Sequence, residues 1–145
     1  IGHAPCNVLV VPRAAELVGR RFLVAADGSR YSDTAALTAV RLSKLCNTPV
    51  SVVSVMRPEH SDERKREARQ IVNRLVSFLK QEGVEVEGKT PNGRADEMIV
   101  QTANEINADL IIMGSRGRTG LERALLGSTS ERVIDQTRCA VLVVK

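Results

Sequence analysis

From Arg21 onward, short continuous apolar runs alternate with longer stretches in which apolar residues return every three or four positions. This is the pattern of buried strands alternating with amphipathic helices, and it predicts an α/β protein with a parallel sheet. Phe22 to Ala26 reads as the first strand, closed by Asp27-Gly28-Ser29. Ser32 or Asp33 can cap the next helix, whose buried stripe is Ala35, Ala36, Ala39, Val40, Leu42 and Leu45 and which ends near Asn47, before Pro49. Val50 to Met56 is the second strand. Ser61 or Asp62 starts a long helix with Ala68, Ile71, Val72, Leu75, Phe78 and Leu79 inward, stopped by Gly83. Val84 to Glu87 alternates apolar and acidic residues and suits a short edge strand, followed by a Pro91-Asn92-Gly93 turn. A helix from about Arg94 to Asn107 buries Met98, Ile99, Ala103 and Ile106 and leads into a strand at 109–113. Glu131 to Ile134 has helical spacing, and Ala140 to Val144 is the last strand.

The segment before Arg21 is not needed by this scheme. Cys6-Asn7-Val8-Leu9-Val10-Val11 repeats Cys139-Ala140-Val141-Leu142-Val143-Val144 at an offset of 133 residues, about one domain length. The expected organisation is therefore residues 1–19 as the last strand of a preceding repeat plus a linker, and residues 20–145 as one complete domain.

A chain of 145 residues with 43% hydrophobic content can build one ordinary core, and its apolar runs are far shorter than the roughly twenty residues of a membrane helix. Cys6, Cys46 and Cys139 lack CxxC spacing and have only His3 and His60 as potential co-ligands, so they read as small buried thiols in a reducing cytoplasm, not as a zinc site. The net charge of +4 raises nucleic acid as a partner, with Arg57, Arg64, Lys65, Arg66, Arg69 and Arg74 as the densest positive region. Glu59, Asp62, Glu63 and Glu67 interleave with those cations as on a solvated helix face, and two Phe, one Tyr and no Trp offer no stacking platform. No nucleic-acid partner is expected.

Two stretches could cradle phosphate. Gly83 to Thr90 formally matches the P-loop pattern, but Glu85 and Glu87 would sit in the cradle, Val84 and Val86 favour extended backbone, and Pro91 follows where a helix must start. The stretch Gly114-Ser115-Arg116-Gly117, followed after nine residues by Gly127-Ser128-Thr129, passes the same test: strand, glycine loop and helix come in order. Its glycines let amides approach a ligand, and Ser128 and Thr129 open a helix whose unpaired N–H groups attract anions. Asp27-Gly28-Ser29 lies at the carboxyl end of another parallel strand, where open α/β sheets bind ligands. A carboxylate there can hold a ribose hydroxyl or an adenine amino group, or help hold a metal.

Phe22 to Ser29 with Ser32, Ala108 to Gly117, Leu126 to Ser130 and Val141 to Val144 together resemble the universal stress protein domain over about residues 20 to 145. The G-x2-G-x9-G-[ST] spacing is similar to that family's ATP-binding signature. The resemblance implies a Rossmann-like open sheet of five parallel strands in the order 3-2-1-4-5, with helices on both faces. It further implies that Ala25, Ala26 and Asp27 line the adenosine end, that the Val55 backbone reads adenine, and that Met113 and Gly114 lie against base and ribose. Gly117, Gly127, Ser128 and Thr129 would hold the phosphates, bridged by Mg2+ or Mn2+, with Arg116 and Arg118 supplying positive charge. The family also pairs its last strands antiparallel in dimers. Pairing of Val8, Leu9, Val10 and Val11 with Val141, Leu142, Val143 and Val144 is therefore expected, within one molecule as a tandem arrangement or between copies as a homodimer.

Two histidines cannot assemble a Ser-His-Asp or Cys-His constellation, and Glu122 and Glu131, the carboxylates nearest the loop in sequence, fit exposed positions. The leading expectation is a cytoplasmic ATP-binding regulator or sensor of stress with slow or no hydrolysis. An interaction domain without functional nucleotide turnover and a weak ATPase are the alternatives.

Overall fold

The computed structural model describes residues 1–118 and 126–145. These form strands β1 (Val8–Val10), β2 (Phe22–Ala25), β3 (Val50–Val53), β4 (Val86–Lys89), β5 (Leu110–Gly114) and β6 (Ala140–Val144), and helices α1 (Arg30–Cys46), α2 (Asp62–Gln81), α3 (Ala95–Glu105) and α4 (Ser128–Gln136). All six strands lie in one sheet, in the order β1-β6-β5-β2-β3-β4. Counted from β2, the five parallel strands follow the order 3-2-1-4-5. The expected five-stranded sheet thus gains a sixth member, because β1 adds antiparallel to β6.

Strand alternation divides the core. Phe22, Val24, Val50, Val52 and Ile112 face Ala35, Ala36, Ala39 and Val40 of α1 and Val72, Leu75 and Leu79 of α2. Leu23, Ala25, Val53, Ile111 and Met113 face Ile99 and Ala103 of α3 and Val133 of α4. A sheet covered on both faces needs strands without a wet side, which is why β2, β3 and β5 are buried at every position.

Ser29 and Ser61 cap α1 and α2, each accepting an N–H three residues ahead, from Ser32 and Arg64. Several expected details shift. Leu45, assigned to the stripe of α1, is 83% exposed. The true stripe runs through positions 35, 36, 39, 40 and 43, and Leu45 lies about 200° around the helix from position 43. The edge strand begins at Val86, not Val84, and Gly88 packs so closely on α2 that an added Cβ would meet Val72 at 2.3 Å. Val50–Val53 is shorter than the expected strand, with Met56 retaining only a single bridge to Asn92. Cys6 and Cys46 are exposed and Cys139 is half-buried, so the expected buried thiols are not found.

The pairing of β1 with β6 has a particular symmetry. Leu9 opposes Leu142, Val8 opposes Val143 and Val10 opposes Val141. In terms of the repeated hexapeptide, Leu9 and Leu142 are equivalent positions, and the flanking pairs exchange roles across them, as at an isologous two-fold contact. The junction from β1 into the domain is fixed by Asp109, which is 1% exposed. Its Oδ2 accepts N–H bonds from Val18 (2.8 Å), Gly19 (2.6 Å) and Arg20 (3.0 Å), and its Oδ1 accepts from Arg21 (3.3 Å).

Candidate functional site

β2 and β5 are adjacent central strands, and from them the chain winds outward in opposite directions, toward β3 and β4 on one side and β6 on the other. Loops leaving their carboxyl ends diverge and leave a crevice. A cleft of about 520 Å³ opens there, within the range of small-molecule sites. Its apolar lining includes Ala25, Val53, Val55, Ile99, Met113 and Leu126. Its polar lining includes Asp27, Arg116 and Arg118, with the glycines 114 and 117 and the start of α4 from Gly127 to Glu131. The eleven residues expected to bind nucleotide, Ala25, Ala26, Asp27, Val55, Met113, Gly114, Arg116, Gly117, Gly127, Ser128 and Thr129, all line this one cleft.

The glycine loop is held by a chain of bonds. Ser115 N–H donates to the Val144 carbonyl (2.8 Å), Gly127 N–H donates to the Ser115 carbonyl (2.7 Å), and the buried Ser130 hydroxyl donates to the Gly114 carbonyl (2.9 Å). These fix α4 with its amino end on the cleft. Its N-cap is Gly127, which supplies no side-chain acceptor. The first intrahelical bond recorded is from Glu131 N–H to the Gly127 carbonyl. The amides of Ser128, Thr129 and Ser130 therefore have no backbone carbonyl to reach and no capping side chain among the described residues, and they point with the positive end of the helix toward the cleft.

Two glycines are required by space. An added Cβ on Gly114 would stand 2.5 Å from Tyr31 Cβ, where β5 meets the first turn of α1. One on Gly117 would stand 2.9 Å from the Asp27 carboxylate. That carboxylate accepts the Ser29 N–H on Oδ1 (3.0 Å) and the Arg118 N–H on Oδ2 (2.9 Å), so Asp27 ties the glycine loop to the end of β2.

The connection from β3 into α2 adds lining that the sequence reading did not place there. Arg57, His60, Arg64 and Glu67 line the cleft, so two arginines assigned to a solvated face, Arg57 and Arg64, belong in part to the site. The available signal was the 3-4 spacing of positions 64, 67 and 71, which puts them on one face of a helix starting beside a strand's carboxyl end. Glu67 Oε2 accepts from Arg118 Nη1 at 2.8 Å and stands 3.8 Å from Arg64 Nε. The Arg118 hydrogen bond holds the Glu67 carboxyl below its ordinary range. His60 Nδ1 accepts the Arg57 N–H at 3.3 Å. Burial, then the neighbouring Arg64 and Arg57, lower the His60 pKa. Glu131 also lines the cleft, as an exposed residue of the first turn of α4, and Glu122 lies outside the described residues.

Among the described residues no three His, Cys, Asp or Glu side chains converge on a metal-binding geometry. Among those residues Asp27 is the carboxylate that bonds the glycine loop, through the Arg118 amide. No helix among the described residues is long and apolar enough to cross a membrane.

The profile of the universal stress protein family matches residues 19–145. A universal stress protein of Methanocaldococcus jannaschii, MJ0531, is 32% identical over 146 residues, covering 92% of this chain and 86% of its own. Among solved structures, MJ0577 superposes with a TM-score of 0.81 at 28% identity, covering 89% of this chain and 97% of its own. A universal stress protein from Archaeoglobus fulgidus in complex with dAMP superposes at 0.71 with 26% identity, covering 89% and 100%. A longer one from Archaeoglobus fulgidus DSM 4304 superposes at 0.76 with 29% identity, and there the match covers 96% of this chain but 49% of the other.

Proposed function

Because the chain belongs to the universal stress protein family, we propose that it binds an adenine nucleotide in the cleft between β2 and β5 and acts as a nucleotide-dependent regulator in stress response. The carrying observation is the amino end of α4, whose first amides have no capping side chain among the described residues, lining the same cleft as the apolar side chains of Val55, Ile99 and Met113. An adenosine nucleotide has the same polarity: a flat, weakly polar base at one end and an anionic tail at the other. The base fits the wall of Val55, Ile99 and Met113, and the tail fits the amides of Ser128, Thr129 and Ser130 beside Gly117. A related protein of this fold was crystallised with dAMP, which supports the same ligand class here. ATP is the preferred form in this reading, with Mg2+ or Mn2+ carried on its phosphates.

Turnover is slow or absent. Hydrolysis needs a group free to orient water. Asp27 accepts two amides and His60 Nδ1 is occupied by the Arg57 amide. Calorimetric titration with ATP, AMP and cyclic AMP, with ADP release followed in parallel, tests this. One saturable site with a preference for the triphosphate and less than about one turnover per minute supports it. No saturable binding returns the protein to the class of pure interaction domains, and fast multiple turnover makes it an ATPase.

We also propose that residues 1–19 are the last strand of a preceding copy of the domain and its linker. The two-fold exchange of Val8, Leu9 and Val10 with Val143, Leu142 and Val141 supports this, as does the fuller match to a chain about twice this length.

A further inference from the structure

We propose that Arg64 and Arg118 form a subsite for the outermost phosphate of a nucleoside triphosphate, and that Glu67 fills this subsite in the ligand-free protein as an internal anion. The inference rests on the nucleotide reading above and assigns the number of phosphates recognised to two arginines and a carboxylate, not to the signature glycines.

Two guanidinium groups from different elements converge on a single carboxylate oxygen. Arg118 Nη1 lies 2.8 Å from Glu67 Oε2 and Arg64 Nε lies 3.8 Å from the same atom. Arg64 comes from the first turn of α2 and Arg118 from the far side of the cleft mouth, so the three side chains bridge it. The backbone of Arg118 is anchored to Asp27 at 2.9 Å, which fixes where its side chain starts. One carboxylate is a poor match for two arginines: it offers a single negative charge, and only one of the two contacts has hydrogen-bond length. A terminal phosphate offers about two charges and three oxygens, and guanidinium forks pair with such oxygens bidentately.

The charge count agrees. Among the described residues four arginines (Arg57, Arg64, Arg116, Arg118) line the cleft against three carboxylates (Asp27, Glu67, Glu131). Asp27 is committed to backbone amides. Glu67 can swing away, since among the described residues its partners are the two arginines a phosphate would take. A nucleotide with one phosphate reaches the α4 amides and leaves the Glu67 bridge closed. A triphosphate extends to the bridge and displaces it. Glu67 thereby competes with the third phosphate and sets the affinity for it.

The test is titration of ATP and AMP against the wild type, Arg64→Ala, Arg118→Ala and Glu67→Gln. Each arginine variant should weaken ATP about tenfold and AMP less than about twofold. Glu67→Gln should strengthen ATP about threefold or more, with AMP changed less, because the competitor loses its charge. Equal weakening of ATP and AMP by the arginine variants, or weaker ATP binding to Glu67→Gln, overturns the subsite while leaving the nucleotide reading standing. Wild-type protein that binds neither nucleotide overturns both.

Discussion

Replacing Asp109 removes the side chain that gathers four amides of the segment between β1 and β2. Its four accepted amide bonds span 2.6–3.3 Å, and the residue is 1% exposed. Hydrogen bonds to a charged group contribute about 1.5–3 kcal/mol each. The four do not add, because alanine also relieves the cost of burying the carboxylate and because the exposed amides at positions 18 and 20 can turn to water. A net loss of about 2–4 kcal/mol remains for Asp109→Ala, a drop in Tm of about 6–12 °C for a domain of this size. Asp109→Asn keeps the volume but aims an NH2 group at N–H donors, and should lose at least half as much. Burial pushes the Asp109 pKa up, but the amides of Arg20, Val18, Arg21 and Gly19 outweigh it, so the native carboxyl lies below its ordinary value. A depressed native pKa contributes stability that is fully present above the ordinary carboxylate pKa of about 4 and fades as the pH falls through the lower native value. The wild-type and alanine melting curves, followed by circular dichroism, should therefore converge as pH drops below about 4. A Tm change under about 2 °C at neutral pH, or a gap that widens in acid, refutes the clamp.

Two further outcomes follow from packing and pairing. Gly114→Ala puts a methyl group 2.5 Å from Tyr31 Cβ and 2.9 Å from the Tyr31 carbonyl carbon, and should cost about 1–3 kcal/mol in a urea titration; an unchanged midpoint would show that α1 yields at no cost. Replacing Leu9 and Val10 together with proline removes whichever of their N–H groups faces β6 and uncovers that strand. If β1 imitates the strand of a partner, sedimentation should then show a dimer, and a protein that stays monomeric speaks against the tandem arrangement.

The parallel core and the order of strand, glycine loop and helix at the cleft were legible because each follows from a local rule. Continuous apolar runs such as Leu110 to Met113 have no wet face to show, and the order strand, glycine loop, helix specifies where a loop's amides point. Leu45 misled because a leucine near a helix end fits an apolar list although its angle is wrong. The lining from the connection of β3 to α2 was hidden for a different reason. Arg57 and Arg64 sit among carboxylates one to three residues away, and local charge balance reads as solvation. Arg118 is 54 positions beyond Arg64, and only the fold brings both to Glu67. Asp109 looked like an ordinary residue at the start of a strand, since its amide partners lie about 90 positions earlier.

Backbone amide resonances report most directly on whether the amino end of α4 receives phosphate. Titrating ATP into isotopically labelled protein should move the signals of Ser128, Thr129 and Ser130 saturably, together with Gly117 and Val55, at moderate salt. Unmoved signals at those positions, with shifts confined to surface arginines and abolished by salt, would contradict the account.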